Sequence, residues 1–249
     1  LIPACRTLDC ITVFTDAVDD ARLIDDIIAG FDPFDAYSKP LIDRTIPHNR
    51  IGVPRRDQRM WFGDSESEYL YDRAIETLSS MAQIVEIDLT PLQETARLLY
   101  SGPWVAERAA AMADLLANNP DAIDETVRQV VAPGTAISAV ELFNGIYRLA
   151  ALKRIADELW TDVDVLAFPT TGTTYRVAEL LAAPIALNSN LGFYTNFVNL
   201  LDMAAVAVPA GARSNGTGFG ITLIGPADSD HSVLEAAEHY LAASDLPCP

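Results

Sequence analysis

The chain has 249 residues, of which 17 are basic and 35 are acidic, and half of all residues are hydrophobic. A chain of this size and apolar content can bury a large core, so we expect one large α/β domain or a piece of one. The formal net charge of −18 repels phosphate backbones and anionic membrane surfaces. Nucleic acid and membranes are therefore not expected as partners.

The cysteines and histidines give no pattern typical of a metal site. Cys5, Cys10 and Cys248 lack Cys-x-x-Cys spacing, and the three histidines are scattered, so we expect no zinc site and a reducing, cytoplasmic setting. The sequence also lacks an apolar run of ~18 residues and the pattern of a secretory signal, which favours a soluble protein. Because it opens at Leu1 without a methionine, we expect a fragment of a longer chain.

The first predicted element is a surface helix over residues 18–29 that packs on a sheet. Its apolar residues recur at helical spacing, Thr15 or Asp16 can cap its start, and Gly30 can end it. Residues 31–57 are rich in Pro, Asp and Arg and predict a long loop that leads into a strand.

A strand–helix–strand unit follows. The pattern predicts a strand near residues 51–53, a helix over 65–81 and a strand over 84–89. Two helices, over 91–100 and 103–116, should follow it, separated by a break at Ser-Gly-Pro in which the proline occupies a first-turn position.

The last part of the chain predicts a long helix, three buried strands and a final helix. Ser138 and Glu141 form the pattern of a capping box, and the helix they open should reach about Trp160. Short apolar runs rich in β-branched residues predict three buried strands, over 163–169, 204–208 and 219–224. A final helix is predicted over 232–241. Strands separated by helices predict a layered α/β/α fold with a mixed central sheet.

Two common enzyme motifs are missing from the sequence. No serine lies in a Gly-x-Ser-x-Gly elbow, which argues against an α/β-hydrolase nucleophile. The nearest approach to a phosphate-binding loop, residues 216–220, runs into a predicted strand rather than a helix. Neither class of site is therefore predicted.

The segment LLYSGPWVAER, residues 98–108, is the most informative stretch of the chain. The helix break allows Tyr100, just before it, and Arg108, in the following helix, to converge on one pocket. The alternative is that Arg108 is a surface residue whose aliphatic stem lies along Trp104, one turn earlier. Residue types alone favour this alternative.

Three stretches together resemble the amidase signature family, and within it the allophanate hydrolases. They are IPACRTLDCITVF (2–14), LLYSGPWVAER (98–108) and LGFYTNFVNLLDMAAVAVPAG (191–211). The first is similar to the segment that follows the family's nucleophile region. The third is similar to its Thr-x-x-x-Asn turn before a proline-ended strand, here Thr195, Asn199 and Pro209. The resemblance implies that residues 1–249 are the carboxy-terminal portion of a single amidase domain.

The resemblance also implies a metal-free mechanism without cofactor. A serine, activated through a bridging serine and a neutral lysine, would attack the terminal amide of allophanate and release ammonia, and the product would then lose carbon dioxide. In the family these three catalytic residues precede the position that aligns with Leu1, so no catalytic residue is expected here. Lys39 and the pair Ser79 and Ser80 lack the family's flanking residues and are assigned no role.

What remains to this chain, by the resemblance, is substrate recognition. Tyr100 and Arg108 match the tyrosine and arginine expected to hold the substrate's carboxylate, and each charge-assisted bond would contribute on the order of 1.5–3 kcal/mol. The alternatives left open are an amidase for another small amide and a non-catalytic chain that binds a partner. The missing amino-terminal half of the domain is the expected partner, and a homodimer is a further expectation.

Overall fold

A five-stranded mixed sheet lies between two layers of helices in the computed structural model, which describes residues 4–244. Its strands are β1 (Arg50–Pro54), β2 (Gln83–Ile87), β3 (Val165–Pro169), β4 (Ala204–Ala212) and β5 (Gly218–Gly225), in the order β2-β1-β3-β5-β4. This architecture confirms the predicted α/β/α class with a mixed sheet.

Ten α-helices surround the sheet in the described part of the chain. They are α1 (Val18–Ile28), α2 (Ser65–Ser79), α3 (Thr90–Tyr100), α4 (Trp104–Ala111), α5 (Ala113–Asn118), α6 (Glu125–Val131), α7 (Ala139–Leu159), α8 (Val177–Ala182), α9 (Pro184–Leu191) and α10 (Asp230–Ala243). No helix of residues 4–244 is both long and apolar enough to cross a bilayer.

The sheet has a parallel half and an antiparallel half. β1 pairs in parallel with β2 and β3, as expected for strands joined through helices, whereas β5 runs antiparallel to both β3 and β4. Gly52 lies in the centre of β1, where an added Cβ would come within 2.7 Å of the Leu166 side chain. A larger residue there would displace side chains that pack on this face of the sheet.

A separate hydrophobic core covers each face of the sheet. On one face, Tyr71 and Leu78 of α2 and Tyr240 of α10 pack against the strands. On the other face, a second cluster packs against the strands. It includes Leu92 of α3, Ala156 of α7, Tyr194 and Phe197. Burial of apolar area on both faces is the main favourable term in the stability of such a sandwich.

Local sequence signals explain why several helices begin where they do. The Asp64 side chain accepts a hydrogen bond from the Ser67 N–H at the start of α2, and the predicted capping box of Ser138 and Glu141 opens α7. The predicted capping box is confirmed, as are the three predicted strands; β3 and most of β5 are buried as expected, whereas β4 is an edge strand with Ala205 and Ala207 exposed.

Several predicted details are wrong. Helix α1 begins after Ala17 without a side-chain cap, and it packs mainly on α10 rather than directly on the sheet. The helix predicted over 103–116 is interrupted at Met112, where α4 ends and α5 follows, and Pro103 precedes its first helical residue. The sequence patterns also missed three short helices, namely α6, α8 and α9.

Candidate functional site

The break between α3 and α4 brings Tyr100 and Arg108 together. Gly102 is required in this turn, because an added Cβ would lie 2.7 Å from the Leu98 backbone, and Pro103 then precedes α4 without an N–H to satisfy. The guanidinium carbon of Arg108 lies 4.7 Å from the centre of the Tyr100 ring. This distance is typical of a cation–π contact.

Arg108 has an unsatisfied donor beside that ring. Its Nε is buried and has no hydrogen-bond partner within residues 4–244, and within the same range no carboxylate forms an ion pair with its guanidinium. A buried guanidinium N–H without an acceptor costs free energy, and a carboxylate is the group that best complements it. The arrangement can therefore accept an anionic ligand.

The thiol of Cys5 lies close enough to Arg108 for their charges to interact. Burial raises the pKa of Cys5, and the positive charge of Arg108 offsets only part of that effect. The thiol consequently stays protonated at neutral pH, whereas a nucleophilic cysteine needs a lowered pKa. Cys5 is buried and packs beside the site, where its raised pKa does not favour a nucleophilic thiolate.

A cleft of about 740 Å³ opens beside Tyr100. Its lining comes from the turn after α3, from α6 and from α9, and it includes the polar side chains of Thr126, Gln129, Asn188 and Asn196. Arg108 does not itself line the cleft; Tyr100, on which its guanidinium stacks, does. Polar groups that converge in a partly apolar cleft are typical of a small-molecule site.

The three stretches that resemble amidases meet at this site. The hydroxyl and the N–H of Thr7 both donate to the Glu107 carboxylate of α4, at 2.8 and 2.7 Å. Asn199 donates from Nδ2 to the Leu8 carbonyl at 2.9 Å, which joins the first stretch to the third. Packing therefore gathers residues that are remote in sequence.

Two other residues of the third stretch, Thr195 and Pro209, belong to a turn and to a strand. Thr195 donates its N–H to the Gly192 carbonyl in the turn that follows α9. Pro209 lies in β4 at an irregularity of the pairing with β5, between Pro209 and Gly211. Neither points to a chemical step.

The two lysines of the chain both approach Asp202. The Nζ atom of Lys39 lies 2.7 Å from the Asp202 carboxylate, and that of Lys153 lies 3.6 Å away. The hydrogen bond to Asp202 raises the pKa of Lys39, whereas a lysine that serves as a base needs a lowered one. Ser79 and Ser80 donate to backbone carbonyls at the end of α2.

Sequence reasoning missed Glu107 and the polar residues of the cleft. Glu107 contacts Thr7 across 100 positions of sequence, which no local pattern reveals. The helices α6 and α9, which carry Gln129 and Asn188, did offer signals: Asp124 caps α6, and Pro184 begins α9.

The sequence matches the Amidase family over residues 1–234, and the chain belongs to that family. It is 40% identical to urea amidolyase of Lachancea kluyveri over 248 residues, which are 96% of this chain and 13% of that protein. The structure of Kluyveromyces lactis allophanate hydrolase superimposes with a TM-score of 0.92 at 36% identity, over 98% of this chain and 41% of that one. Urea amidolyase from Kluyveromyces lactis gives a TM-score of 0.93 at 37% identity, over 98% of this chain and 15% of that one. The chain thus spans less than half the length of these relatives.

Proposed function

We propose that this chain is the carboxy-terminal portion of a single amidase domain that hydrolyses the terminal amide of allophanate to ammonia and carbon dioxide. The observation that carries the proposal is the Arg108 guanidinium, held on the Tyr100 ring with a buried Nε that lacks a partner within residues 4–244. The identities of 36–40% to allophanate hydrolase and urea amidolyase support it.

Arg108 and Tyr100 would bind the carboxylate end of allophanate. A guanidinium fork donates two parallel hydrogen bonds to a carboxylate, and the low polarity of a partly buried site strengthens each of them. The aromatic ring holds the guanidinium in place before the substrate arrives, which reduces the entropy lost on binding. Uncharged amides would gain none of this energy.

The amide end of the substrate would face residues that precede Leu1. In the proposed enzyme a serine outside this chain attacks the carbonyl, backbone N–H groups stabilise the oxyanion, and water hydrolyses the acyl-enzyme. The segment after the nucleophile would then be residues 4–10, and its contacts with α4 support a nucleophile near Arg108. The chain would supply substrate recognition and would be inactive alone.

A second candidate function is hydrolysis of a larger amide. The cleft volume of about 740 Å³ lies in the range of roughly 300–1,000 Å³ that drug-sized ligands occupy. A urea carboxylate needs only a part of that space. The polar side chains of α6 and α9 would in that case contact the rest of the substrate.

Proposed partners are the remainder of the amidase domain and a second copy of the protein. Side chains that are almost fully exposed, such as Phe14 and Phe34, support a covering segment over residues 11–42. The outer face of α7 exposes Val140, Phe143 and Tyr147 at helical spacing, which supports self-association there. Sedimentation of the complete protein would test the dimer.

Cys5 and Cys10 are free thiols, in keeping with a proposed cytoplasmic location.

The test of the function compares allophanate with biuret, its uncharged analogue of the same size. We expect kcat/KM of the complete protein for ammonia release to be about 100-fold higher with allophanate, because two charge-assisted bonds are lost with biuret. Equal rates with both compounds would contradict carboxylate recognition. A preference for larger amides over both would favour the second candidate.

A further inference from the structure

A carboxylate next to Arg108 ties the amino-terminal segment, residues 4–10, to helix α4. Glu107 accepts hydrogen bonds from both the N–H and the hydroxyl of Thr7, at 2.7 and 2.8 Å. A carboxylate that accepts two bonds from one residue fixes the direction as well as the distance of the contact. The Thr7–Glu107 contact therefore sets how the segment lies on α4.

The segment is folded on itself and held at two further points. The Asp9 carboxylate accepts hydrogen bonds from the N–H groups of Ala4 and Cys5. Buried Cys5 places its Sγ 3.9 Å from the Trp104 carbonyl. Asn199 also binds the carbonyl of Leu8, and Glu107 is the charged anchor of the segment on α4.

Glu107 and Arg108 are consecutive on α4 and therefore point in directions about 100° apart around the helix axis. One faces the amino-terminal segment, and the other faces the Tyr100 ring. The helix thus fixes the position of the segment relative to the guanidinium. A rigid link of this kind is what a reaction needs when one end of the substrate is bound and the other end is attacked.

We propose that Glu107 is a positioning residue for amide hydrolysis, and this inference rests on the proposed function. By holding Thr7, it keeps the segment that follows the nucleophile at a constant distance from Arg108. Glu107 touches neither the substrate nor the reacting atoms in this scheme. It acts through the segment that it holds, residues 4–10.

The size of two effects separates this role from a purely structural one. The Thr7–Glu107 bonds are exposed to water, and an exposed contact of a charged group typically contributes less than about 1 kcal/mol to the free energy of unfolding. A displacement of about 1 Å at the reacting groups, by contrast, can lower a rate about 100-fold. A positioning residue should therefore change kcat far more than it changes the melting temperature.

The experiment uses the complete protein and three substitutions, Glu107→Ala, Glu107→Gln and Thr7→Val. We expect Glu107→Ala to lower kcat by roughly tenfold to 100-fold with KM nearly unchanged, because the segment loses its anchor. Glu107→Gln keeps an acceptor for the Thr7 N–H and should restore most of kcat. Thr7→Val removes only the hydroxyl bond and should fall between the two.

Glu66→Ala is the matched control. Glu66 accepts a hydrogen bond from the Ser214 N–H at 3.0 Å, so this variant also removes a surface tie between a helix carboxylate and a backbone N–H. It lies on α2, against the other face of the sheet, and should leave kcat unchanged.

Unchanged kcat in both Glu107→Ala and Thr7→Val would overturn the proposal, whatever happens to the melting temperature. If Glu107→Ala does not fold, Thr7→Val and Glu107→Gln decide by the same criterion. The rates are measured with whichever amide the enzyme hydrolyses best. A failure to prefer allophanate over biuret would thus refute the proposed function and leave the role of Glu107 to be judged separately.

Discussion

Two arginines, one on each side of the sheet, differ in what surrounds them. Arg213 donates from Nε to the Asp64 carboxylate at 3.2 Å and from Nη2 to the Ser67 hydroxyl at 2.7 Å. Arg108 has no such partner for its Nε within residues 4–244. Both guanidinium groups stack on an aromatic ring, Phe219 or Tyr100. Folding therefore provides acceptors for Arg213, whereas it leaves the Nε of Arg108 without one in the part of the chain that the structure describes.

The pKa of Asp64, the carboxylate that pairs with Arg213, reflects this pairing. Burial alone would raise the pKa of Asp64, but hydrogen bonds from Ser67 and the charge of Arg213 outweigh burial and lower it. The ionised carboxylate is consequently the form that the folded protein favours. Its stabilising effect is present above the ordinary pKa of an aspartate and is lost as the pH falls through the lowered value.

The largest expected effect is the loss of Arg213. The side chain of Arg213 is 3% exposed, so Arg213→Met leaves Asp64 and Ser67 without their cationic donor in a site that water hardly enters. We expect the free energy of unfolding to fall by about 3 kcal/mol or more, as for other broken buried pairs. Urea unfolding of parent and variant at neutral pH measures the change.

Arg73→Met is the control for this effect, because Arg73 is paired with Glu76 at 3.6 Å but is 60% exposed. Exposed pairs contribute little, so the loss should stay below about 1 kcal/mol. Equal losses in the two variants would contradict the claim that Arg213 is a structural arginine.

A smaller effect, and one on substrate affinity rather than stability, is expected at Arg108. Arg108→Lys in the complete protein should raise KM for allophanate about tenfold to 100-fold, because lysine lacks the planar fork that donates two parallel bonds. The free energy of unfolding should change little, because Arg108 has no carboxylate partner within residues 4–244 and the lysine ammonium can also lie on the Tyr100 ring. Steady-state kinetics and urea unfolding of the same preparation check both statements.

Arg97→Lys provides the control on the neighbouring helix α3, where the side chain is exposed. It should leave KM unchanged. If Arg108→Lys also leaves KM unchanged, Arg108 does not bind the substrate, and the contrast with Arg213 loses its functional meaning.

The sequence predicted the parts of the fold that depend on local patterns. The unit β1-α2-β2 and the capping box of α7 follow from apolar spacing and from Ser138 and Glu141, and both are confirmed. Helices α6, α8 and α9 have only six to eight residues, too few for a helical period to stand out. The interruption at Met112 was equally invisible, because the residues on both sides of it favour a helix.

At the site, the helix break made the proximity of Tyr100 and Arg108 possible, but residue types alone favoured a surface arginine, and only the resemblance to amidases indicated the pair that the structure brings together. The sequence did not indicate the contact of Thr7 with Glu107, because only tertiary packing brings residues 100 positions apart together. Nor did it distinguish Arg108 from Arg213. Whether a guanidinium finds a carboxylate depends on the positions of remote elements, and no property of the arginine's own neighbours in sequence encodes that outcome.

The smallest effect is expected where a charge is well partnered but exposed, at Asp88 between β2 and α3. Its Oδ1 accepts hydrogen bonds from Gln58 and from the N–H and hydroxyl of Thr90, and these bonds lower the pKa of Asp88 to about 2. The side chain is 49% exposed, so water screens the interaction. Asp88→Asn should therefore reduce the free energy of unfolding by less than about 1 kcal/mol at pH 6.

The pH dependence gives the sign of this last effect. Because the folded-state pKa of Asp88 lies below the unfolded value of about 3.9, its contribution is complete above that value and is lost as the pH falls toward 2. The difference between parent and Asp88→Asn should therefore be smaller at pH 3 than at pH 6. A difference that grows on acidification would mean that the protonated form of Asp88 is the stabilising one. The exposed Asp88 would then respond to pH in the opposite direction to Asp64, which pairs with Arg213.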